Sequence, residues 1–134
     1  MTSHSNRPNG PAIRRYTELI VWQKAMTLVE VVYQASAQLP DRERFGITQQ
    51  IRCAAVSVPC NIAEGHGRMN NGDYARFLAI ARGSLLETET LLQLAVNLAY
   101  LRPRQIAGTM SLADEVSRIL AVLIRKLGRR SPKR

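Results

Sequence analysis

The sequence predicts an all-α fold, an antiparallel four-helix bundle with up-down-up-down topology. Apolar residues recur at helical spacing through most of the 134-residue chain. Short segments containing Pro or Gly interrupt that spacing. With only four Tyr, two Phe and one Trp, the core must be aliphatic, which suits helix packing. Four long helices with short connections alternate in direction, and a chain of this length forms one domain.

The chain divides into an arm, a bundle and a tail. We expect a disordered basic arm at residues 1–16, because this segment is polar and contains Pro8 and Pro11. The bundle occupies residues 17–128, and a basic tail follows at residues 129–134. The four helices are predicted at about residues 17–37, 42–66, 72–101 and 103–127.

Capping residues and prolines set these boundaries. Thr17, Asp41 and Asn71 are the predicted N-caps of the first three helices, since their side chains can accept a hydrogen bond from a free backbone N–H. Pro103 occupies a favoured first position of the fourth helix. Pro59 lies inside the second helix, where it removes a backbone hydrogen bond, so we expect a kink there.

The first helix carries more apolar surface than one bundle core requires. One stripe has the 3-4-3-4 spacing of a bundle seam, and a second lies beside it. Together they cover about 200° of the helix, so we expect a second contact, with another subunit. The alternative is a helix that is sunk more deeply in its own domain. The seam consists of Leu19, Trp22, Met26, Val29 and Tyr33, and the second stripe of Val21, Ala25, Leu28, Val32 and Ala35.

The net charge of +9 lies at the two ends of the chain. The first 15 residues contain three Arg and no acid, the last ten contain six cations and no acid, and the remaining ten cations are balanced by ten acids. A cluster of this kind can bind the phosphates of RNA or DNA. The alternatives are a tail that only aids solubility and, ranked last because no aromatic lies near it, a membrane contact. The candidate nucleic-acid contacts are Arg125, Lys126, Arg129, Arg130, Lys133 and Arg134.

The sequence contains neither a run of 18 apolar residues nor an apolar segment typical of a secretion signal. We therefore expect a cytoplasmic protein without a membrane contact. Its two cysteines, Cys53 and Cys60, lie seven residues apart on one helix. About 10 Å separates them along the axis, so they cannot form a disulfide with each other. We expect both to be small, buried, apolar side chains.

Polar residues flank Pro59 and face the third helix. We interpret them as a structural cluster that fixes the register of the two helices. A ligand-binding or catalytic site built from the same residues is the alternative. The members of this predicted polar cluster are Ser57, Asn61, Glu64, Arg68, Ser84 and Glu87.

No catalytic, cofactor-binding or metal-binding residue is predicted. The only histidines, His4 and His66, have no neighbours at metal-ligand spacing. Cys60 and His66 could be written as a nucleophile and a base, but the sequence offers no third group to orient them. We therefore expect a protein that is not an enzyme and takes no cofactor or small-molecule substrate.

Three segments carry a resemblance to a known family. They read LIVWQKAMTLVEVVY, QQIRCAAVSVPCNIAEGHGR and FLAIARGSLLETETLLQLA. These segments, within residues 18–101, closely resemble the 23S rRNA intervening-sequence protein family, also called four-helix bundle proteins. Most specific are NIAEG at residues 61–65 with Arg68 following, and a Gly-Ser step with Glu87 in the third helix.

Two positions depart from the family pattern. Cys53 stands where the family usually has a second arginine, and Cys60 stands where it usually has serine. The first departure weakens any transfer of a basic patch to the second helix.

The resemblance implies a bundle fold, a ring-like homopentamer and no enzymatic activity. The bundle is also similar to the accessory protein of diversity-generating retroelements, a basic pentamer thought to bind nucleic acid. We therefore expect a non-enzymatic homo-oligomer that binds RNA or DNA through basic tails gathered around one axis. The alternative is a scaffold that binds a protein partner and has no role with nucleic acid.

Overall fold

The computed structural model describes residues 15–130, and this part of the chain contains four α-helices and no strand. Each helix packs against the next in chain order, and the first packs against the fourth. The predicted four-helix bundle is therefore confirmed. Most of the predicted arm lies outside the described residues, and so does the end of the tail with Lys133 and Arg134. The helices are α1 (Ile20–Ser36), α2 (Ile47–His66), α3 (Asn71–Asn97) and α4 (Pro103–Arg130).

The two ends of the bundle differ in what they contain. One end, here called the loop end, holds the α1–α2 connection at residues 37–46 and the α3–α4 connection at residues 98–102. The hydroxyl of Tyr100 donates to Glu43 Oε2 at 2.9 Å and joins these two loops. The other end, here called the terminal end, holds the start of α1, the α2–α3 turn and the end of α4.

The core between the helices is aliphatic, as the composition predicted. The largest fully buried side chains include Ile51 and Ile62 of α2, Leu78 and Leu85 of α3, and Leu120 of α4. Burying one side chain of this size contributes about 2–3 kcal/mol. A continuous set of such residues along the bundle axis therefore supplies most of what holds the four helices together.

The predicted seam of α1 is wrong, because the two stripes exchange roles. The second stripe, from Val21 to Ala35, is the one that is buried in the core. In the stripe predicted as the seam, Met26 and Tyr33 are 40% and 42% exposed, and the other three residues are half-buried. Both stripes have helical spacing, so spacing alone could not decide between them.

Two predicted N-caps differ from the structure at the terminal end. Thr17 lies within a short 3₁₀ turn, and α1 begins at Ile20 without a side-chain cap. In α3 the cap is Asn70 rather than Asn71, and Asn70 Oδ1 accepts from the backbone N–H of Asp73 at 2.8 Å. Two adjacent asparagines are equally suitable caps by composition, so the sequence left this choice open.

The N-terminus of α2 is capped by a side chain four residues earlier in the chain. Asp41, the predicted cap, opens a 3₁₀ turn, and α2 starts only at Ile47. The carboxylate Oε1 of Glu43 accepts the backbone N–H of Ile47 at 3.2 Å and so performs the capping role. A Cβ at residue 46 would stand 2.5 Å from Glu43 Oε1, so the carboxylate would have to shift from its present position.

The ends of α3 and α4 also differ from prediction. Ala99 has a φ of 65°, and the N–H of Tyr100 donates to the carbonyl of Ala95 at 2.9 Å. This left-handed termination ends α3 at Asn97, before the predicted residue 101. By contrast, α4 passes through Gly128 to Arg130 instead of ending at 127. The helix α2 runs without interruption through Pro59, where a kink stays a prediction.

Candidate subunit and nucleic-acid interfaces

Three members of the predicted polar cluster meet between α2 and α3. The hydroxyls of Ser57 and Ser84 lie 2.9 Å apart. Asn61 Nδ2 donates to Ser57 Oγ at 2.8 Å and to the Ser57 carbonyl at 2.9 Å. Because Ser57 Oγ accepts from Asn61, its own proton is free to be donated to Ser84. These short side chains join α2 to α3, and that they fix the register of the two helices stays a prediction.

The other three members form no hydrogen bond with this group. Arg68 pairs with Glu64 at 2.7 Å on the exposed end of α2, and its guanidinium lies 4.7 Å from the Phe77 ring centroid. Glu87 is exposed and forms no hydrogen bond or ion pair within residues 15–130. It lines a shallow groove of about 350 Å³ with Ser57, Ser84, Phe45 and Cys53. The predicted cluster is therefore a serine–asparagine group, a surface ion pair, and a carboxylate that borders the same groove as the two serines without bonding to them.

The glycine of the NIAEG motif allows α2 and α3 to pack closely. Gly65 is buried, and a Cβ there would come within 2.8 Å of Phe77 Cβ and 3.1 Å of the Tyr74 ring. A larger residue would push the two helices apart where the chain turns between them. The motif thus has a packing role in addition to the hydrogen bonds of Asn61.

Shifted pKa values occur away from the predicted cluster. The backbone N–H of Ile47 and then the hydroxyl of Tyr100 lower the pKa of Glu43. Burial raises the pKa of Glu89, and Asp114 nearby adds to this effect. Residues 15–130 hold no group of three or more His, Cys, Asp or Glu placed to bind a metal ion.

Both cysteines are exposed, which corrects the expectation that they are buried. They are free, as the spacing predicted. With Val56, which is 37% exposed, they form an outward ridge on α2 that carries no charge. Both cysteines point away from the core. The side of α2 that faces the core is occupied by Ile51, Ala55, Val58 and Ile62.

This ridge and the outer stripe of α1 border two apolar grooves. One groove, of about 370 Å³, lies between Trp22, Met26 and Cys60. The other, of about 570 Å³, lies towards the loop end between Tyr33, Phe45 and Cys53. Phe45 is 80% exposed. We call this surface the α1–α2 face; it consists of Trp22, Met26, Val29, Tyr33, Phe45, Cys53, Val56 and Cys60.

Arg52 stabilises the α1–α2 face, a role that the sequence analysis missed. Its Nε donates to Ser36 Oγ at 2.8 Å, and its Nη2 donates to the Tyr33 carbonyl at 3.3 Å. The guanidinium also lies 4.5 Å from the Tyr33 ring centroid. Arg52 thereby donates to a backbone carbonyl in the last turn of α1. Sequence patterns do not show which parts of two helices are adjacent, so they could not reveal this contact.

The candidate nucleic-acid contacts are largely part of a helix. Arg125, Lys126 and Arg129 are exposed on the last two turns of α4, and none forms an ion pair with another described residue. Earlier on the same helix, Arg118 pairs with Asp114 at 3.1 Å. Arg130 is the last residue of α4. The helix therefore presents its final cations from a fixed backbone and does not leave all of them to a tail.

None of the helices within residues 15–130 combines the length and apolar character needed to cross a membrane.

Comparison with known proteins identifies relatives of the bundle. The family model of the 23S rRNA-intervening sequence protein matches residues 17–122. A crystal structure of a protein of unknown function from the S23 ribosomal protein family of Bacteroides thetaiotaomicron is similar, with a TM-score of 0.73 and 23% sequence identity. The similarity covers 78% of this chain and 98% of that one, and it supports the fold. No curated protein matches the chain.

Proposed function

The chain belongs to the 23S rRNA-intervening sequence protein family, and we propose that it is a non-enzymatic, cytoplasmic homo-oligomer that binds RNA or DNA. The proposed contacts are the cations at the end of α4 and in the residues that follow it. The observation that carries the proposal is that Arg125, Lys126 and Arg129 are exposed without a carboxylate partner among the described residues. Unpaired cations on a rigid helix can approach phosphates without losing an internal contact.

Assembly would multiply this charge. The last ten residues of one copy carry six cations, and five copies, the number that the family resemblance implies, would carry about 30. Each phosphate contact releases counterions, so affinity rises steeply with the number of contacts and falls with salt. The apolar α1–α2 face supports assembly, since monomers rarely expose a continuous apolar surface of this kind.

A salt titration tests the proposal directly. The full-length protein is titrated against a fluorescent RNA and a DNA of equal length at salt concentrations between about 50 and 200 mM. We expect binding at low salt, and the logarithm of the affinity should fall linearly with the logarithm of the salt concentration. Absence of binding at the lowest salt would contradict a role with nucleic acid.

A protein-binding scaffold is the second candidate. It is favoured by Phe45, which is 80% exposed beside the groove between α1 and α2. A scaffold of this kind would retain its partner in high salt and would be insensitive to loss of the α4 cations. A pull-down at low and high salt therefore separates the two functions, because only nucleic-acid binding depends on those cations.

A further inference from the structure

A second apolar surface runs along the outer side of α3. Ile80 and Leu94 are each 41% exposed, and Leu98, which follows the last turn, is 49% exposed. With Gly83 and Glu87 they follow steps of three, four and seven residues, so they share one side of the helix. We call this surface the α3 stripe; it consists of Ile80, Gly83, Glu87, Leu94 and Leu98.

Gly83 is the feature of the α3 stripe that its own chain does not explain. It lies in the interior of a 27-residue helix, where glycine lowers stability relative to alanine. A Cβ added there would meet nothing within 4 Å. Packing within the chain therefore does not require the missing side chain. A glycine on an exposed helix side allows another backbone to come close.

The α1–α2 face complements the α3 stripe in charge as well as in apolar character. The groove beside Tyr33 is lined by Arg44 and Arg52 and contains no acid. Neither arginine forms an ion pair with another described residue. Glu87 on the stripe also has no partner within residues 15–130. A carboxylate on an apolar stripe thus matches cations in an apolar groove.

The two surfaces also match in height along the bundle. The hydroxyl contact between Ser57 and Ser84 places these residues level with each other. At 1.5 Å per residue, Glu87 is level with residue 54, one turn or less from Arg52. By the same measure Ile80 is level with residue 61, next to Cys60, and Leu94 is level with residue 47, near Phe45.

These matches matter when copies of the chain are related by rotation about an axis parallel to the bundle, because residues at equal height then meet. Ile80 of one copy would meet the groove at Trp22 and Cys60 of the next. Glu87 would meet Arg52, and Leu94 would meet Phe45. Apolar contacts would flank a central ion pair, with Gly83 allowing the helices to approach.

We propose that the α1–α2 face of one copy receives the α3 stripe of a second copy. The inference rests on the homo-oligomer of the proposed function and adds the geometry of its contact. On one chain the two surfaces border one another, because Glu87 shares a groove with Phe45 and Cys53. Two different surfaces meet in the proposed contact, so the interface is heterologous, and a copy that receives one neighbour on its α1–α2 face can offer its α3 stripe to another. Such a contact builds a ring or a chain of subunits and does not stop at a two-fold dimer.

A complementation experiment tests this geometry. Met26→Glu places a charge on the α1–α2 face, and Ile80→Glu places one on the α3 stripe; both positions are partly exposed, at 40% and 41%. Each variant alone should sediment as a 15.0 kDa monomer, since burying an unpaired charge in the contact is unfavourable. Mixed in equal amounts they should form a dimer and nothing larger, because each variant supplies the surface that the other lacks. The matched control is Val122→Glu on α4, where the native side chain is 38% exposed and lies on neither surface.

Each outcome has a distinct meaning. Monomers that stay monomeric in the mixture would overturn the pairing of these two surfaces, and so would a variant that assembles as the native chain does. A native chain that is monomeric throughout would contradict the proposed homo-oligomer itself, independently of its geometry. Circular dichroism checks that both variants are helical, and Val56→Glu with Leu94→Glu provides a second pair for the same mixing experiment.

Discussion

The two ends of the bundle use charge differently. At the loop end, Glu43 accepts the N–H of Ile47 and the hydroxyl of Tyr100, and it thereby ties the α1–α2 loop to the α3–α4 loop. The guanidinium of Arg42 lies over the ring of the same Tyr100, 5.6 Å from its centroid. At the terminal end, Arg125 and Arg129 have no such partners among the described residues.

This difference separates two roles that the net charge of +9 combines. The charge of Glu43 at the loop end contributes to the fold, so removing it should change stability. Charge at the end of α4 is not needed by the fold, so altering it should change binding alone.

The largest effect is expected from the triple substitution Arg125→Gln, Lys126→Gln and Arg129→Gln. Loss of three phosphate contacts should reduce the slope of log affinity against log salt by about 2–3 for each copy that contacts the nucleic acid. The free energy of unfolding should change little, because all three side chains are exposed. Fluorescence anisotropy and urea unfolding measure the two quantities. Substitution is preferable to deleting residues 125–134, since that would also remove the buried Leu127.

The matched control for this variant lies at the opposite end of α4. Arg102→Gln and Arg104→Gln remove exposed cations just before and just after the start of α4, at the loop end. Affinity for RNA or DNA should remain close to that of the native chain. An equal loss of affinity at both ends would mean that total charge, rather than the terminal end, controls binding.

Glu43→Gln should have the next largest effect, on stability and not on binding. Hydrogen bonds from Ile47 and Tyr100 lower the pKa of Glu43 below its ordinary value of 4.5. The ionised group therefore stabilises the fold at pH above the unfolded-state pKa, and this contribution is lost as pH falls through the lower folded-state pKa. Urea unfolding at pH 7 and near pH 3 should show a deficit that shrinks in acid. Tyr100→Phe should reproduce part of it, and a deficit equal at both pH values would exclude the ionised carboxylate as its cause.

Asn70→Ala tests whether the terminal end contains structural groups separate from its cations. Loss of the bond from the Asp73 N–H to Asn70 Oδ1 should lower the free energy of unfolding by about 1 kcal/mol. The salt dependence of binding should be unchanged. Asn71→Ala, next to it, is the control and should cost less, because Asn71 is not the cap.

The smallest effect is expected from Ala99→Gly at the loop end. Ala99 has a φ of 65°, a conformation that costs about 1–2 kcal/mol for a residue other than glycine. Glycine at this position would remove that cost, but its greater freedom in the unfolded chain offsets part of the gain. The free energy of unfolding should therefore rise by about 0.5–1 kcal/mol. A decrease measured by urea unfolding would contradict the strained conformation.

The fold could be read from the sequence because spacing, breakers and composition agree about it. Periodicity could not decide which stripe of α1 is inside, since both stripes have it; the packing of Ala25 and Leu28 against other helices decides this. Cys53 and Cys60 were misplaced for a related reason. Cysteine is usually buried, but the inner side of α2 was already occupied by Ile51 and Val58.

The candidate sites were less predictable than the fold. Ser57, Asn61 and Ser84 were identified because short polar side chains within an apolar pattern need partners nearby. Glu87 borders the same groove as Ser57 and Ser84 but does not bond to them, because helical spacing gives the side of α3 on which a residue lies and not the contacts of a flexible side chain. Arg52 was missed because its partners, Ser36 and Tyr33, come from another helix.

The most direct test of the terminal end is to map where nucleic acid touches the chain. Full-length protein is photo-crosslinked to an RNA containing 4-thiouridine, and the crosslinked peptides are identified by mass spectrometry. The proposal predicts crosslinks in peptides from residues 125–134. Crosslinks concentrated at the loop end around residues 98–104, or none at low salt, would contradict it.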